Sequence, residues 1–324
     1  MYERKLELKK HRKKDSISEM IPSKLLRYAS SLNLPQKKTI VITGGNSGIG
    51  FEVARYLCHF NWNVILAVRN MERGEKAKAA LLEEFPNSRV EAWHFDASKS
   101  ASIESFCKRI KATHLDIDVF YCNAGIYRTP FELGEHGIEQ QAYTNFVSNY
   151  LLFRELKEYF LSLGHPIKWI LTSSITARLQ TWNDDDFHGG DKYHKGHAYA
   201  RSKVAVNHLY LYLKDECQGT PITPLLVHPG ITHTALINKA YHGRPFQLAI
   251  QSFMRTFFHS PTKAALCTLY LLQEKVSSPR FCGPRGIFHW TGYPTVYPLY
   301  LGNAKEYRHT IERLKDILAE KEKA

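Results

Sequence analysis

Tyr199-Ala-Arg-Ser-Lys203 sets a phenol and an ammonium four residues apart, one above the other on a helix face. A free tyrosine ionises near ~10 and is a poor base at neutral pH. A neighbouring cation favours phenolate and draws that value down, so the pair is suited to moving a proton. Y-x-x-x-K alone means little. Its weight comes from following an apolar run that ends in Leu171-Thr172-Ser173-Ser174, which puts Ser174 at the carboxyl end of a buried strand. In an open α/β sheet ligands bind beyond those ends.

A second stretch addresses phosphate. Thr43-Gly44-Gly45-Asn46-Ser47-Gly48-Ile49-Gly50 joins the strand-like Thr39–Thr43 to a helical pattern over Phe51–Phe60. Glycines let a backbone turn sharply and approach a pyrophosphate seated on the positive end of a helix. Between a buried strand and a helix, in the first βαβ unit, the loop marks a dinucleotide site. The next strand ends at Val68-Arg69-Asn70. A ribose 2′-hydroxyl calls for a carboxylate there and a 2′-phosphate for a cation. Arg69 supplies the cation, which points to NADP(H).

These groups need a scaffold that brings strand ends together. Further apolar runs at Asn63–Val68, Val90–Phe95, Ile117–Cys122, Ile167–Thr172 and Ile222–His228 alternate with helical patterns at Met71–Phe85, Ser100–Ala112, Ile138–Leu163 and Ala198–Glu216. Continuous apolar strands between helices predict an α/β fold with a doubly wound parallel sheet, in a single domain. Residues 1–36 read as a basic arm with a short helix inside Met20–Leu34, residues 37–300 as the catalytic domain, and 301–324 as a charged closing helix. Gly286–Trp290 is expected to be the last strand.

The motifs together resemble the short-chain dehydrogenase/reductase family over about residues 37–290. The match is T-G-x-x-x-G-I-G at Thr43–Gly50, N-A-G at Asn123–Gly125, the serine after strand five, Y-x-x-x-K at Tyr199–Lys203 and P-G at Pro229–Gly230. Leu66-Ala-Val-Arg69-Asn70, the acidic-aromatic insert between Ser174 and Tyr199, and the helix from Asn145 are similar to the retinol dehydrogenase-like branch. The resemblance implies a Rossmann fold and an oxidoreductase that passes hydride between NADP(H) and a carbonyl or alcohol. It implies that Tyr199 gives the proton, Ser174 polarises the oxygen, Lys203 holds the ribose and Asn145 anchors a relay water. Gly44, Asn46, Ser47, Gly48, Ile49, Gly50, Arg69, Asp96, Ala97, Asn123, Ala124, Gly125, Pro229, Gly230 and Thr234, with Tyr199 and Lys203, would contact the cofactor. One position departs from the family: its usual N-N-A-G reads Cys122-Asn123-Ala124-Gly125, and the first asparagine's backbone bonds are expected to be missing.

After Pro229-Gly230 the chain is rich in Leu, Ile, Phe and Met up to Ser260, where the family carries a substrate lid, which suggests a lipophilic, retinoid- or steroid-like substrate. Asp184-Asp185-Asp186 with His188, His194 and His197 matches no metal-ligand spacing and reads as a solvated loop without metal. The net charge of +13 also invites a nucleic-acid partner. Residues 1–38 hold eleven Lys/Arg and four Asp/Glu, a net +7 that leaves +6 for the rest. No helix-turn-helix, zinc or aromatic RNA-binding motif accompanies them, so no nucleic-acid partner is expected. The six cysteines show no C-x-x-C pairing, and no apolar run reaches the ~18 residues of a membrane span. A cytoplasmic protein is expected, with peripheral membrane contact and a homodimer left open. The competing reading is an NADPH-binding regulatory or scaffold protein with a vestigial site, and the complete set Asn145, Ser174, Tyr199 and Lys203 argues against it. Replacing Arg69 by aspartate should raise the KM for NADPH on the order of ten- to a hundredfold and leave that for NADH nearly unchanged in steady-state assays.

Overall fold

The structure, a computed structural model, describes residues 20–190, 192–232, 260–274, 281–286, 289–297 and 306–322. Thr234, most of the apolar stretch up to Ser260 and most of the basic arm lie outside the described residues. Eight strands form one sheet: β1 (Thr39–Thr43), β2 (Asn63–Val68), β3 (Arg89–His94), β4 (Val119–Cys122), β5 (Ile167–Thr172), β6 (Ile222–Val227), β7 (Phe281–Pro284) and β8 (Pro294–Tyr297). Their order is β3-β2-β1-β4-β5-β6-β7-β8, parallel throughout except that β8 runs antiparallel to β7. This is the doubly wound sheet expected, in a single domain.

The helices are α1 (Ser23–Ser31), α2 (Gly48–His59), α3 (Met71–Glu84), α4 (Ser100–Ala112), α5 (Gln140–Ala142 and Ser148–Ser162, joined by a π-helical turn at Tyr143–Val147), α6 (Lys195–Glu216), α7 (Pro261–Leu271) and α8 (Tyr307–Glu322). Alternate strand side chains divide between the two faces, the two-residue period of a strand. Val41 packs with α4, α5, α6 and α8 on one face, whereas Ile40 and Ile42 pack with α1, α2, α3 and α7 on the other. Phe120 of β4 stacks on Trp169 of β5 at 4.5 Å, and Phe153 and Phe160 of α5 meet Trp169 edge-on. That aromatic block fixes α5 on the sheet, and α5 carries Asn145.

Three sequence expectations change. The last strand is not Gly286–Trp290; the described residues there form the turn of the β7–β8 hairpin, closed by Arg285 N–H to Tyr293 O and Gly286 N–H to Thr291 O, both 2.8 Å. A Cβ at Gly286 would lie 2.1 Å from Thr291 O, so glycine is required for the chain to double back. The acidic insert is not a solvated loop. Trp182, Asp186 and Phe187 are buried, because Asp186 forms a 2.7 Å ion pair with Arg201 of α6 and the two rings join Phe146 in the core. The closing helix is more than a charged extension: Ile311, Leu314, Ile317 and Leu318 of α8 enter the core over α6, while α1 docks on the other face through Ala29, in keeping with a short helix at the domain edge.

Candidate active site

The sequence-predicted residues gather along the carboxyl edge of the sheet. β1 neighbours both β2 and β4, so the chain winds outward in opposite directions from this point, and a crevice opens between the loops that leave β1 and β4. Thr43 ends β1, and its Oγ1 accepts the N–H groups of Asn123 and Ala124 at 2.9 Å each. Asn123 answers with Nδ2 donating to Thr43 O at 2.9 Å and to Gly44 O at 3.3 Å. The departure at Cys122 is therefore absorbed locally: Cys122 is a buried core side chain, and Asn123 makes the bonds that tie the two loops.

The glycine turn is packed to backbone density. Gly44 adopts φ +67°, and a Cβ at Gly50 would lie 2.5 Å from Asn123 Nδ2 and 2.8 Å from Gly44 O. Such a loop keeps side chains out of the place where a pyrophosphate must touch backbone, at the start of the twelve-residue α2 with no acid in its first turn. The residues present fit a dinucleotide. Asn46, Gly48 and Ile49 are half-buried in the turn and Ser47 is exposed at the helix cap. Arg69 stands exposed at the end of β2, and Asn70 caps α3 by accepting Arg73 N–H at 2.8 Å. Asp96 and buried Ala97 follow β3 beside them; Asp96 Oδ1 is engaged by the N–H and hydroxyl of Ser98 at 3.0 and 2.7 Å.

The reacting groups assemble at β4, β5 and α6. Ser174 caps the turn after β5, half-buried, and Thr176 Oγ1 lies 2.9 Å from its hydroxyl. Tyr199 and Lys203 sit one turn apart on α6, the ammonium 5.8 Å from the centre of the phenol ring. Lys203 is buried and donates to Thr172 O at 2.9 Å, the carbonyl at the end of β5. Gly125 marks how tightly the groups meet: a Cβ there would lie 2.9 Å from Asn145 Oδ1 and 3.8 Å from Lys203 Nζ. Pro229 and Gly230 follow β6 beside Ser174; Gly230 takes φ +78°, and a Cβ there would also lie 2.5 Å from Trp290 O, so the position calls for glycine on both counts.

Burial sets the protonation of the pair. It pushes the Tyr199 phenol up to about 12, against a hydrogen bond from Ser174 and with Tyr127 adding to the rise. It pushes the Lys203 ammonium down to about 8. Burial is the largest influence on Tyr199 here, and Lys203 places one of its donors on the Thr172 carbonyl. Tyr199 is thus a phenol that keeps its proton at neutral pH.

A model of short chain dehydrogenases matches residues 38–244. The chain belongs to the short-chain dehydrogenase/reductase family. Among family members it is 30% identical over 245 residues to polyprenol dehydrogenase of Danio rerio, covering 74% of this chain and 75% of that one. It is 32% identical over 259 residues to retinol dehydrogenase 13 of Mus musculus, covering 76% of each. An uncharacterized protein from Mycobacterium paratuberculosis superposes with a TM-score of 0.68 at 26% identity, covering 89% of this chain and 94% of the other. These matches put the chain in the retinol dehydrogenase-like branch, as an oxidoreductase of the family.

Sequence reasoning on this dehydrogenase/reductase named Asn145 but not its bonds, and missed Arg201. Asn145 Oδ1 accepts Ile126 N–H at 2.8 Å, and its Nδ2 donates to Ile126 O at 3.0 Å and to Ser202 Oγ at 2.9 Å. Arg201, inside Y-x-x-x-K, ties the catalytic helix to the insert through Asp186 and Gln180. The uncommon pairing of an arginine within that motif and three aspartates upstream was the available signal. Because the cradle at Gly50 has no room for a methyl group, Gly50→Ala should cost about 1–3 kcal/mol of stability. It should also weaken binding of the nicotinamide cofactor about tenfold or more, read as cofactor-induced quenching of tryptophan fluorescence.

Proposed function

We propose that the protein is an NADP(H)-dependent reductase of a lipophilic aldehyde or ketone, with Tyr199 as the proton donor. The observation that carries this reading is the meeting of the Tyr199 phenol with the buried Lys203 ammonium, one helical turn apart, beside Ser174 at the carboxyl edge of the sheet. A donor that holds its proton at neutral pH is suited to reduction, where an alkoxide must be quenched as it forms.

The cofactor, when bound, supplies hydride from its nicotinamide C4 to the carbonyl carbon. The chain's own residues do the rest. The Tyr199 O–H transfers its proton to the carbonyl oxygen, so carbon gains hydride, oxygen gains a proton and an alcohol leaves. The Ser174 hydroxyl donates a hydrogen bond to the same oxygen and holds it at Tyr199. Lys203 has three N–H donors and spends one on Thr172 O, which leaves donors for the nicotinamide ribose. Asn145 lies behind Lys203 and next to Gly125, in reach of a water that would reprotonate the pair. Arg69, exposed at the end of β2 where an NAD site would offer a carboxylate, supports NADP(H).

The lipophilic substrate rests on the apolar composition after Gly230 and on relatives named for polyprenol and retinol. The catalytic unit so proposed runs over residues 37–300, with residues 1–36 as a basic arm and short helix, and 301–324 as the closing helix. No helix among the described residues is long and apolar enough to cross a membrane.

The test is NADPH oxidation across a panel of retinoid, steroid and aliphatic carbonyls, with Tyr199→Phe as the control. The expected result is turnover of at least one lipophilic carbonyl and a loss of about 10²–10⁴-fold in kcat in the variant, with its fold intact by circular dichroism. A Tyr199→Phe protein that keeps most of its activity would overturn the reading.

A further inference from the structure

Tyr127 lies on the loop that leaves β4, two residues beyond Gly125, and its ring meets Tyr199 edge-on, 4.6 Å between centres and 88° between planes. Edge-to-face pairs of this kind are attractive beyond the area they bury and fix the rotation of both rings. The loop that presents Tyr127 is held on both sides by buried amides. Before it, Asn145 clamps both backbone groups of Ile126 at 2.8 and 3.0 Å. After it, Gln141, fully buried at the start of α5, accepts Arg128 N–H at 2.8 Å. Arg128 itself takes φ +55°, a left-handed turn that a non-glycine residue holds only where its surroundings impose it.

The outer end of the same loop is anchored too. Gln141 Nε2 donates to Tyr193 OH at 2.8 Å and to Lys195 O at 3.2 Å, and the single Tyr193 O–H lies 3.0 Å from two acceptors, Thr129 O and the buried Glu139 Oε1. Three segments are thus pinned together around Tyr127: its own loop, the start of α5 and the residues that open the catalytic helix. Two buried amides and a buried carboxylate thus fix the backbone on either side of Tyr127.

We propose that Tyr127 is a positioning residue for Tyr199: its ring fixes the orientation of the Tyr199 ring and keeps water from its hydroxyl as the proton is delivered. This rests on Tyr199 acting as proton donor. Among the described residues, Tyr127 from the β4 loop, the Ser174 hydroxyl from the β5 turn and Lys203 from its own helix face Tyr199.

The experiment compares Tyr127→Phe, Tyr127→Leu and Tyr127→Ala in NADPH-dependent reduction of all-trans-retinal, or of whichever carbonyl the parent turns over best, across pH. With alanine or leucine, kcat should fall about tenfold while KM changes less than about threefold, the scale of losing an aromatic pair contact at the reacting group. The alkaline fall in kcat should begin at lower pH, because water reaches the Tyr199 hydroxyl and eases its ionisation. Phenylalanine keeps the ring and should restore both kcat and the profile. If the alanine variant does not fold, leucine decides, since it fills the space without an aromatic ring. A second readout needs no turnover: tyrosinate absorbance is titrated in each background and the same background carrying Tyr199→Phe is subtracted, and Tyr199 should ionise at lower pH in the leucine variant than in the parent. Unchanged kcat and pH profile in the leucine variant, a loss confined to KM, or an equal loss in phenylalanine would overturn the inference. If Tyr199→Phe is inactive while the Tyr127 variants behave as the parent, the inference alone falls; if Tyr199→Phe stays active, the functional reading falls as well.

Discussion

The site depends on a buried ammonium held beside a phenol at the strand ends. Burying the Lys203 charge is costly, and burial shifts both groups toward their neutral forms, the Tyr199 phenol up and the Lys203 ammonium down. The chain offsets this with a few fixed partners: the Thr172 carbonyl for Lys203 and the Ser174 hydroxyl for Tyr199. These partners stand on β5 and its following turn, so the sheet itself fixes where Tyr199 and Lys203 meet. Preorganised polar groups in a dry site act on developing charge without having to reorient.

That arrangement requires helix α6 to be held against the sheet without slack. One face of α6 packs into the core, with Val206, Leu209, Tyr210 and Leu213 buried, and the apolar side of α8 lies over it. His208 of α6 meets Thr310 of α8 at 2.9 Å in a buried contact, and burial drives that histidine down to about 4, so it stays neutral there. Asp186 draws the other side of α6 into the insert through Arg201. On the cofactor side, the hydroxyl of Thr43 and the amide of Asn123 join the ends of β1 and β4 where the sheet divides, so the phosphate cradle and the reacting residues share one rigid base.

Much of this was legible in the sequence, and the limits are physical. Buried parallel strands are continuous apolar runs, so β1 through β6 stand out, and glycines that must turn sharply mark the cradle between β1 and α2. Arg69, Ser174, Tyr199 and Lys203 are positioned by where strands and helices end, which local patterns carry. What the sequence hid depends on distant partners. Asp186 looks like a solvated aspartate until Arg201 is placed beside it, and Asp184 pairs with His309 from the far end of the chain. The bonds of the Asn145 amide to Ile126 and Ser202 could not be read from its own stretch, because both partners lie on other segments. Strands β7 and β8 escaped because Phe281-Cys-Gly-Pro284 is short and its glycine and proline resemble turn chemistry; only pairing with β6 makes it a strand.

The most direct test of the central claim is isotopic. The protein is supplied with NADPH doubly deuterated at the nicotinamide C4, in ordinary water, together with the lipophilic aldehyde it turns over best. The account predicts an alcohol with one deuterium on the former carbonyl carbon and an ordinary proton on oxygen. An alcohol product without carbon-bound deuterium, or no alcohol from any lipophilic carbonyl, would contradict it.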